Sequence, residues 1–182
     1  MKLKTQLAAF LIGTAFALPA VAADSYTVDP AHTYPNFEIN HFGFSTTRGR
    51  FGATSGKIML DSAARSGSID ITIDAASIDT GHARRDTHLR NEDFFNVGKF
   101  PTLTYKATKL KFNGDKLTGA DGELTMLGVT RPVSLALTSF NCGPHPLNKK
   151  QMCGANATAT IKRSDFGLTA YLPGIGDEVT II

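Results

Sequence analysis

The sequence predicts an all-β fold, and three observations lead to that prediction. Apolar and polar residues alternate with a period of two in several separate stretches, as half-exposed antiparallel strands require. Turn residues separate these stretches. Only one stretch, near residues 82–97, has helical character. An antiparallel sheet of roughly eight or nine strands normally closes into a barrel or packs as a sandwich, with the helical stretch as an insertion.

Length and composition limit the classes of protein to be considered. The 182 residues, 42% hydrophobic and 19% charged, fit one globular domain. The formal charge of +3 includes Lys2 and Lys4, and without these two the chain is close to neutral. Such a chain has no clustered basic face for phosphates, so nucleic acid is not expected as a partner.

Residues 1–23 are predicted to be a secretory signal peptide. Lys2 and Lys4 precede an apolar stretch from Leu7 to Leu18, and Pro19 and small residues follow it. The apolar stretch is too short for a membrane-spanning helix, which needs about 20 residues. A free mature domain over residues 24–182 is therefore expected outside the cytoplasm.

Strands are predicted along the mature chain where the alternation is clearest. In residues 69–74, three isoleucines share one face and three polar residues share the other. Asn113-Gly114 predicts a hairpin turn, because both residues tolerate positive φ. Further alternating stretches occupy residues 37–40, 103–107, 110–112 and 133–138.

The predicted helix covers residues 82–90, before a second short helical turn. Asn91 is expected to cap that second turn, where Glu92 and Asp93 would suit the positive end of its dipole. Gly98 and Pro101 are expected to end the helical stretch.

Cys142 and Cys153 are the only cysteines, and a disulfide is the expected state of such a pair in an oxidising compartment. The polar residues between them indicate a surface loop joining two strands. A redox or metal role is less favoured, because the spacing is not CxxC and His145 lacks the further ligands of a zinc site.

The interior is expected to be rich in phenylalanine. The chain has 12 Phe and no Trp, so its buried rings carry few polar groups. An apolar stripe on a strand is more often plain core than a binding surface. The alternation predicts these inward positions: Phe37, Phe42, Phe44, Phe51, Phe94, Phe95, Phe100, Tyr105, Phe112, Leu124, Met126 and Phe166.

Several separated motifs resemble those of YceI-like domains. The resemblance runs in order through essentially the whole mature chain. The motifs are residues 26–33 and 37–43, Gly49-Arg50-Phe51-Gly52, residues 77–80, Arg85-Asp86-Thr87-His88-Leu89, Asp93-Phe94-Phe95, Lys99-Phe100-Pro101, residues 122–133 and residues 163–168.

This resemblance implies a lipocalin-like antiparallel β-barrel of about eight strands, with a short helical insertion near residues 82–97. It also implies a periplasmic protein whose elongated apolar interior takes a polyisoprenoid chain, such as an isoprenoid quinone or a polyprenyl pyrophosphate. The inward positions above, except Phe112 and with Leu89 added, then become predicted lipid-binding residues. A filled lumen, with function on the outer surface, is the alternative for a barrel of this size.

A polar cluster in the predicted helix has three interpretations. Arg85, Asp86 and His88 are headgroup candidates, because arginine forks or helix N–H groups suit a pyrophosphate or a quinone carbonyl. Asp86 and His88 are alternatively an acid/base pair acting on a bound lipid. With Arg84 and Arg90, the cluster is otherwise an ion-pair network that fixes the helix to the barrel rim.

Other chemistry finds little support in the sequence. His82 and His88 would point to different faces of a helix, and no metal-binding motif is present, so no metal and no required cofactor are expected. GxSxG is absent, and the protein is not expected to be an enzyme. A lipid ligand makes transient membrane contact an expectation, and the sequence leaves the oligomeric state open, a homodimer included.

Overall fold

The computed structural model describes residues 23–182, so the predicted signal peptide lies outside the described residues except for Ala23. One antiparallel sheet dominates the domain. Its strands are β1 Asp24–Thr27, β2 Asn36–His41, β3 Ser45–Phe51, β4 Thr54–Asp61, β5 Ser66–Asp74, β6 Ile78–Asp79, β7 Thr102–Asn113, β8 Lys116–Met126, β9 Val129–Pro144, β10 Gln151–Lys162 and β11 Ile175–Ile181. Helix α1 spans Ala83–Arg90, and 3₁₀ turns span Ala75–Ser77 and Arg163–Phe166.

The sheet curls into the predicted antiparallel barrel, and its strand order is β1-β4-β5-β7-β8-β9-β10-β11-β2-β3-β6. Only Gly52 and Ala53 separate β3 from β4, while a 3₁₀ turn separates β5 from β6. The two bent segments lie side by side, since Gly52 N donates to Ser77 O at 3.0 Å and Asp74 N to Ala53 O at 3.0 Å. These bends split long strands into pieces, which raises the strand number above the expected eight.

The predicted strands are confirmed, although some are longer than the alternation indicated. Residues 69–74 lie in β5, and the stretches at 103–107 and 110–112 are parts of the single strand β7. The Asn113-Gly114 hairpin is present, with Asn113 paired to Lys116 and Gly114 at φ 60°. The final strand β11 bonds on both sides, to β10 and to β2.

The helical insertion differs from the prediction at its second half. His82 caps α1, its Nδ1 accepting from Arg85 N at 3.2 Å. Asn91 ends α1 instead of starting a second helical turn, and its carbonyl accepts from Asn96 N at 2.8 Å. This bond folds residues 92–96 into a tight turn that presents Phe94 and Phe95 to the sheet interior.

Among residues 23–182, no helix is long and apolar enough to cross a bilayer.

Cys142 and Cys153 form a disulfide, as expected. They are direct cross-strand partners in β9 and β10, so the loop between the strands is shorter than the sequence indicated and covers residues 145–150. His145 stabilises that loop, because its Nδ1 accepts from the backbone N–H groups of Leu147 and Asn148 at 3.2 and 3.3 Å.

Candidate functional site

The curled sheet encloses a cavity of about 510 Å³, within the usual size range of small-molecule sites. Inward residues of β2, β3, β5, β7, β8, β9, β10 and β11 form its wall. α1 with the following turn partly covers one end, and the mouth of the cavity lies at this same end, where Tyr171 contacts the rings of His88 and Phe94. The strand residues in the wall are largely aliphatic or aromatic and include Ile39, Ile71, Ile73, Leu103, Leu135, Ile161, Val179 and Ile181. The lumen is therefore not filled by the protein's own side chains.

Most of the predicted inward residues line this cavity, although contact with a lipid stays a prediction for each. Phe51 anchors the aromatic part of the wall, with ring centroids 5.4 Å from Phe95 and 6.1 Å from Phe37. The predicted residues found in the lining are Phe37, Phe42, Phe51, Leu89, Phe94, Phe95, Tyr105, Leu124 and Met126.

Four predicted inward positions lie elsewhere. Phe44 is 92% exposed, because Phe42 and Gly43 adopt positive φ at the β2–β3 turn and break the alternation before Phe44. Phe166 is buried in the second 3₁₀ turn but does not reach the cavity. Phe100 packs at the Gly128 turn, and Phe112 is half-buried near the far end of β7, so neither lines the lumen.

Other lining residues were missed by the analysis of the sequence. The isoleucines of β5 could have been predicted, since their alternation places them on one shared face. They were not among the predicted inward residues, because these were selected mainly for phenylalanine. Tyr171 and Ile175 come from the segment before and at the start of β11, where no period-two pattern exists. Only the folded chain brings that segment against the cavity.

Tyr105 places a polar group deep in the apolar wall. Its hydroxyl donates to Val133 O at 3.0 Å and lies 3.3 Å from Ala120 O, and the residue is 6% exposed. Burial raises the pKa of Tyr105 to about 12, and the carboxylate of Asp121 adds to the shift. The neutral hydroxyl is thus held in place by the sheet and is not free to titrate near neutral pH.

A Tyr105→Phe variant should lose about 1 kcal/mol of stability at neutral pH, because it removes a buried hydrogen bond. The folded wild type keeps a proton that the unfolded chain loses above pH 10.0, so its stability should fall as pH rises from 10.0 to about 12. The Tyr105→Phe variant has no hydroxyl at this position, so its free energy of unfolding lacks this pH-dependent decrease. Urea unfolding of both proteins across that range should show their difference shrinking, and a constant difference would contradict the assignment.

The polar cluster forms a chain of hydrogen bonds at the covered end of the cavity. The buried carboxylate of Asp86 accepts from Thr80 N at 2.9 Å and from Thr80 Oγ1 at 2.5 Å. Arg85 in turn donates from Nε to Thr80 Oγ1 at 2.8 Å and from Nη2 to Thr80 O at 2.9 Å. Asp86 fixes Thr80, and Thr80 orients the Arg85 guanidinium beside the lumen that it helps to line.

The structure does not bring Asp86 and His88 together as an acid/base pair. Asp86 is bonded to Thr80, whereas His88 Nε2 lies 3.7 Å from Asp93 Oδ2. The His88 ring lines the cavity and meets Phe94 edge-on at a centroid distance of 5.0 Å. In residues 23–182, no hydrogen bond or ion pair links Asp86 with His88.

Part of the cluster fixes the helix to the rim. Arg90 donates from Nε to Ala76 O at 2.7 Å and from Nη2 to Ile78 O at 2.8 Å, which ties the end of α1 to the segment before β6. Asp86 also attaches α1 to this end of the barrel, because it accepts two hydrogen bonds from Thr80, the residue after β6. Arg84 is exposed and does not line the cavity. Arg85 and His88 are therefore the members of the cluster that a ligand in the lumen can reach.

Arg163 supports the opposite side of the cavity entrance. The residue is 4% exposed and donates to the carbonyls of Leu168, Ala170, Ile175 and Gly176 at 2.8 to 3.0 Å. Burial lowers the pKa of the Arg163 guanidinium, and nearby Asp177 opposes that shift. The segment that carries Tyr171 is thus held around one buried cation.

Metal ligands are not gathered at this site. In the part of the chain that the structure describes, no three His, Cys, Asp or Glu side chains form a group that could hold an ion. His32 instead pairs with Asp29 at 2.7 Å on the surface, and His41 stacks edge-on with Phe42.

The sequence matches known proteins along nearly its whole length. The family model of the YceI-like domain covers residues 26–182. A UPF0312 protein of Ectopseudomonas mendocina is 36% identical over 183 residues, which is 99% of this chain and 95% of that protein. The protein YceI of Salmonella arizonae is 36% identical over 182 residues, or 98% of this chain and 94% of its own.

Solved structures share the fold. BcnA of Burkholderia cenocepacia aligns with a TM-score of 0.68 at 25% identity, covering 85% of this chain and 95% of BcnA. A polyisoprenoid binding domain from Saccharophagus degradans, implicated in plant cell wall breakdown, aligns with a TM-score of 0.61 at 19% identity, covering 85% and 92%. At 19% identity, the similarity to the Saccharophagus degradans domain establishes only a common fold.

Proposed function

Because the chain belongs to the YceI-like family, we propose that it binds an isoprenoid lipid, with the tail in the barrel cavity and the headgroup at the covered end. The observation that carries this proposal is the cavity of about 510 Å³, with walls that are largely aliphatic and aromatic. An isoprenoid tail has no polar atoms, so such walls remove it from water without leaving donors or acceptors unpaired.

The energetics favour a carrier over an irreversible trap. Burying a methylene group contributes about 0.8 kcal/mol, so ten buried carbons would contribute roughly 8 kcal/mol before any cost is subtracted. Ordering of the tail offsets part of this gain, and a lipid already shielded in a bilayer gains far less by moving. Exchange between a membrane and the protein is the behaviour that this balance predicts.

The proposed location is the periplasm, and the proposed ligands are an isoprenoid quinone or a polyprenyl pyrophosphate. The signal-like pattern of residues 1–23 supports export. The cross-strand disulfide of Cys142 and Cys153 supports an oxidising compartment. The fold shared with a polyisoprenoid binding domain makes this ligand class the specific one to test.

The proposal includes no catalytic step and no required cofactor. Asp86, one half of the acid/base pair considered from the sequence, is buried and occupied by Thr80. Arg85 and His88 are assigned to headgroup recognition, since a fixed guanidinium and an imidazole at the end of an apolar cavity suit an acceptor-rich or anionic group.

Extraction of the purified mature protein tests the function. The protein is denatured, extracted with organic solvent and analysed by mass spectrometry, and the refolded, emptied protein is then offered a quinone. A prenyl lipid in the extract, or uptake of the quinone with stoichiometry near one, is expected. Repeated extraction without any prenyl lipid, together with no quinone uptake, would refute the proposal.

Arg85→Gln should weaken binding of a polyprenyl pyrophosphate by about tenfold, because one charge-assisted contact is lost. Arg84→Gln is the matched control, with the same charge change on the neighbouring exposed residue, and should bind as the wild type does. Titration with a fluorescent prenyl pyrophosphate measures both. Equal losses in the two variants would point to a long-range charge effect instead of a headgroup contact.

A further inference from the structure

The turn between β2 and β3 carries exposed aromatic side chains. Phe44 is 92% exposed and Phe42 is 54% exposed, while Tyr171 on the segment before β11 is 60% exposed. Exposed large apolar side chains grouped in this way indicate a contact surface. We use the term aromatic tip for Phe42, Gly43 and Phe44.

The aromatic tip is continuous with the mouth of the cavity. Phe42 and Tyr171 both line the cavity while remaining exposed on the outside. Phe42 N donates to Gly174 O at 2.7 Å, and the Phe42 ring lies directly over Gly174, so the tip is attached to the Tyr171 segment. A ligand passing between these rings would enter or leave beside Phe44.

We propose that the aromatic tip inserts into the interfacial region of a lipid bilayer and thereby opens the exchange route between membrane and cavity. This inference rests on the proposed function, since it explains how an apolar ligand avoids crossing water. Residues 40–47 contain no Asp, Glu, Lys or Arg, so insertion is driven by apolar burial and does not require anionic lipids.

A bilayer fits the tip better than a second copy of the chain does. Fully exposed aromatic side chains bury about 150–250 Å² each. Phe42, Phe44 and Tyr171 are 54%, 92% and 60% exposed, so together they offer roughly 300–500 Å² per copy. Two copies would bury roughly 600–1,000 Å², which at most reaches the lower limit of about 1,000 Å² for a stable protein interface. A shallow, reversible insertion needs only a few such side chains, and reversibility is what a carrier requires.

The first experiment compares two serine variants on vesicles. Phe44→Ser removes the exposed ring at the tip, while Leu147→Ser removes an equally exposed apolar side chain, 87% exposed, from the β9–β10 loop. Co-sedimentation with neutral phosphatidylcholine vesicles free of quinone is expected to fall about tenfold for Phe44→Ser only. Because these vesicles hold no ligand, the result is independent of whether the cavity binds a lipid.

The second experiment uses the absence of tryptophan from the chain. Phe44→Trp and Leu147→Trp each introduce a single indole. On adding the neutral vesicles, the emission of the Phe44→Trp variant should shift to the blue and be quenched by brominated lipid, and that of Leu147→Trp should not change. Both substituted side chains are exposed, so neither variant is expected to disturb folding.

The third measurement connects the tip to exchange. Quinone transfer from loaded to empty vesicles should slow about tenfold in Phe44→Ser, while occupancy by quinone supplied in detergent stays at the wild-type level. The inference is overturned if Phe44→Ser sediments and transfers as the wild type does, if Leu147→Ser loses as much, or if Phe44→Ser only changes the oligomeric state. Failure of the proposed function would instead appear as wild-type protein that takes up no quinone.

Discussion

In an Ile71→Trp variant, lipid binding should weaken by about 100-fold or more, while the protein remains folded. Ile71 lies on β5 and faces the cavity. Because side chains do not fill the cavity in front of Ile71, a larger indole can be accommodated there. Displacing about four carbons of a tail forfeits roughly 3 kcal/mol of burial, which corresponds to about two orders of magnitude in affinity.

Thr72→Trp provides the matched control, since the next residue on a strand points to the opposite face. Circular dichroism and thermal melting establish folding, and the organic extract or quinone titration measures occupancy. If Ile71→Trp binds quinone as tightly as Thr72→Trp does, the ligand does not occupy this cavity.

Replacing Arg163 by methionine should lower the free energy of unfolding by about 3–5 kcal/mol. The guanidinium is buried and donates to four carbonyls of the segment around Tyr171, and methionine would leave those acceptors without their shared partner. Arg163→Lys should recover only part of the loss, because an ammonium group cannot reproduce the planar fork.

Urea unfolding measures this effect, with Arg48→Met as the control. Arg48 forms an ion pair with Glu38 at 2.6 Å, but its side chain is 69% exposed. Exposed pairs of that kind contribute about 0–1 kcal/mol. Comparable losses in the two variants would show that the Arg163 network does not hold the entrance segment.

The strands could be predicted from the sequence because their signal is local. In β5, alternation along the six residues 69–74 is enough to assign one inner and one outer face, and the structure places Ile71 and Ile73 in the cavity wall. The hairpin at Gly114 and the disulfide between Cys142 and Cys153 follow from equally local patterns.

Alternation identified most inward-facing strand positions, with Phe112 near the end of β7 as an exception, but it could not be extended through the β2–β3 turn to Phe44. Phe37 and Tyr105 lie in strands and line the cavity, as alternation indicated. Phe44 was misassigned because two preceding residues with positive φ reverse the chain, and a period of two cannot be extended through such a turn. The same turn geometry that keeps Phe44 out of the lumen places its ring at the exposed aromatic tip.

Asp86 and His88 illustrate a second limit. Their closeness in sequence suggested a joint role, yet α1 directs Asp86 to Thr80 and His88 to the rings around the mouth. Helical geometry separates residues two apart onto different faces, so adjacency in sequence does not establish a shared site.

Local periodicity, turn residues and distinctive motifs thus determined the all-β class, the helical insertion and the family of this protein. Only the tertiary structure decided that side chains leave the lumen open, that Arg163 holds one side of its entrance and that Phe44 lies outside the lumen. The reason is physical: strand periodicity depends on neighbours in sequence, whereas a cavity and its mouth depend on how distant segments close around a space.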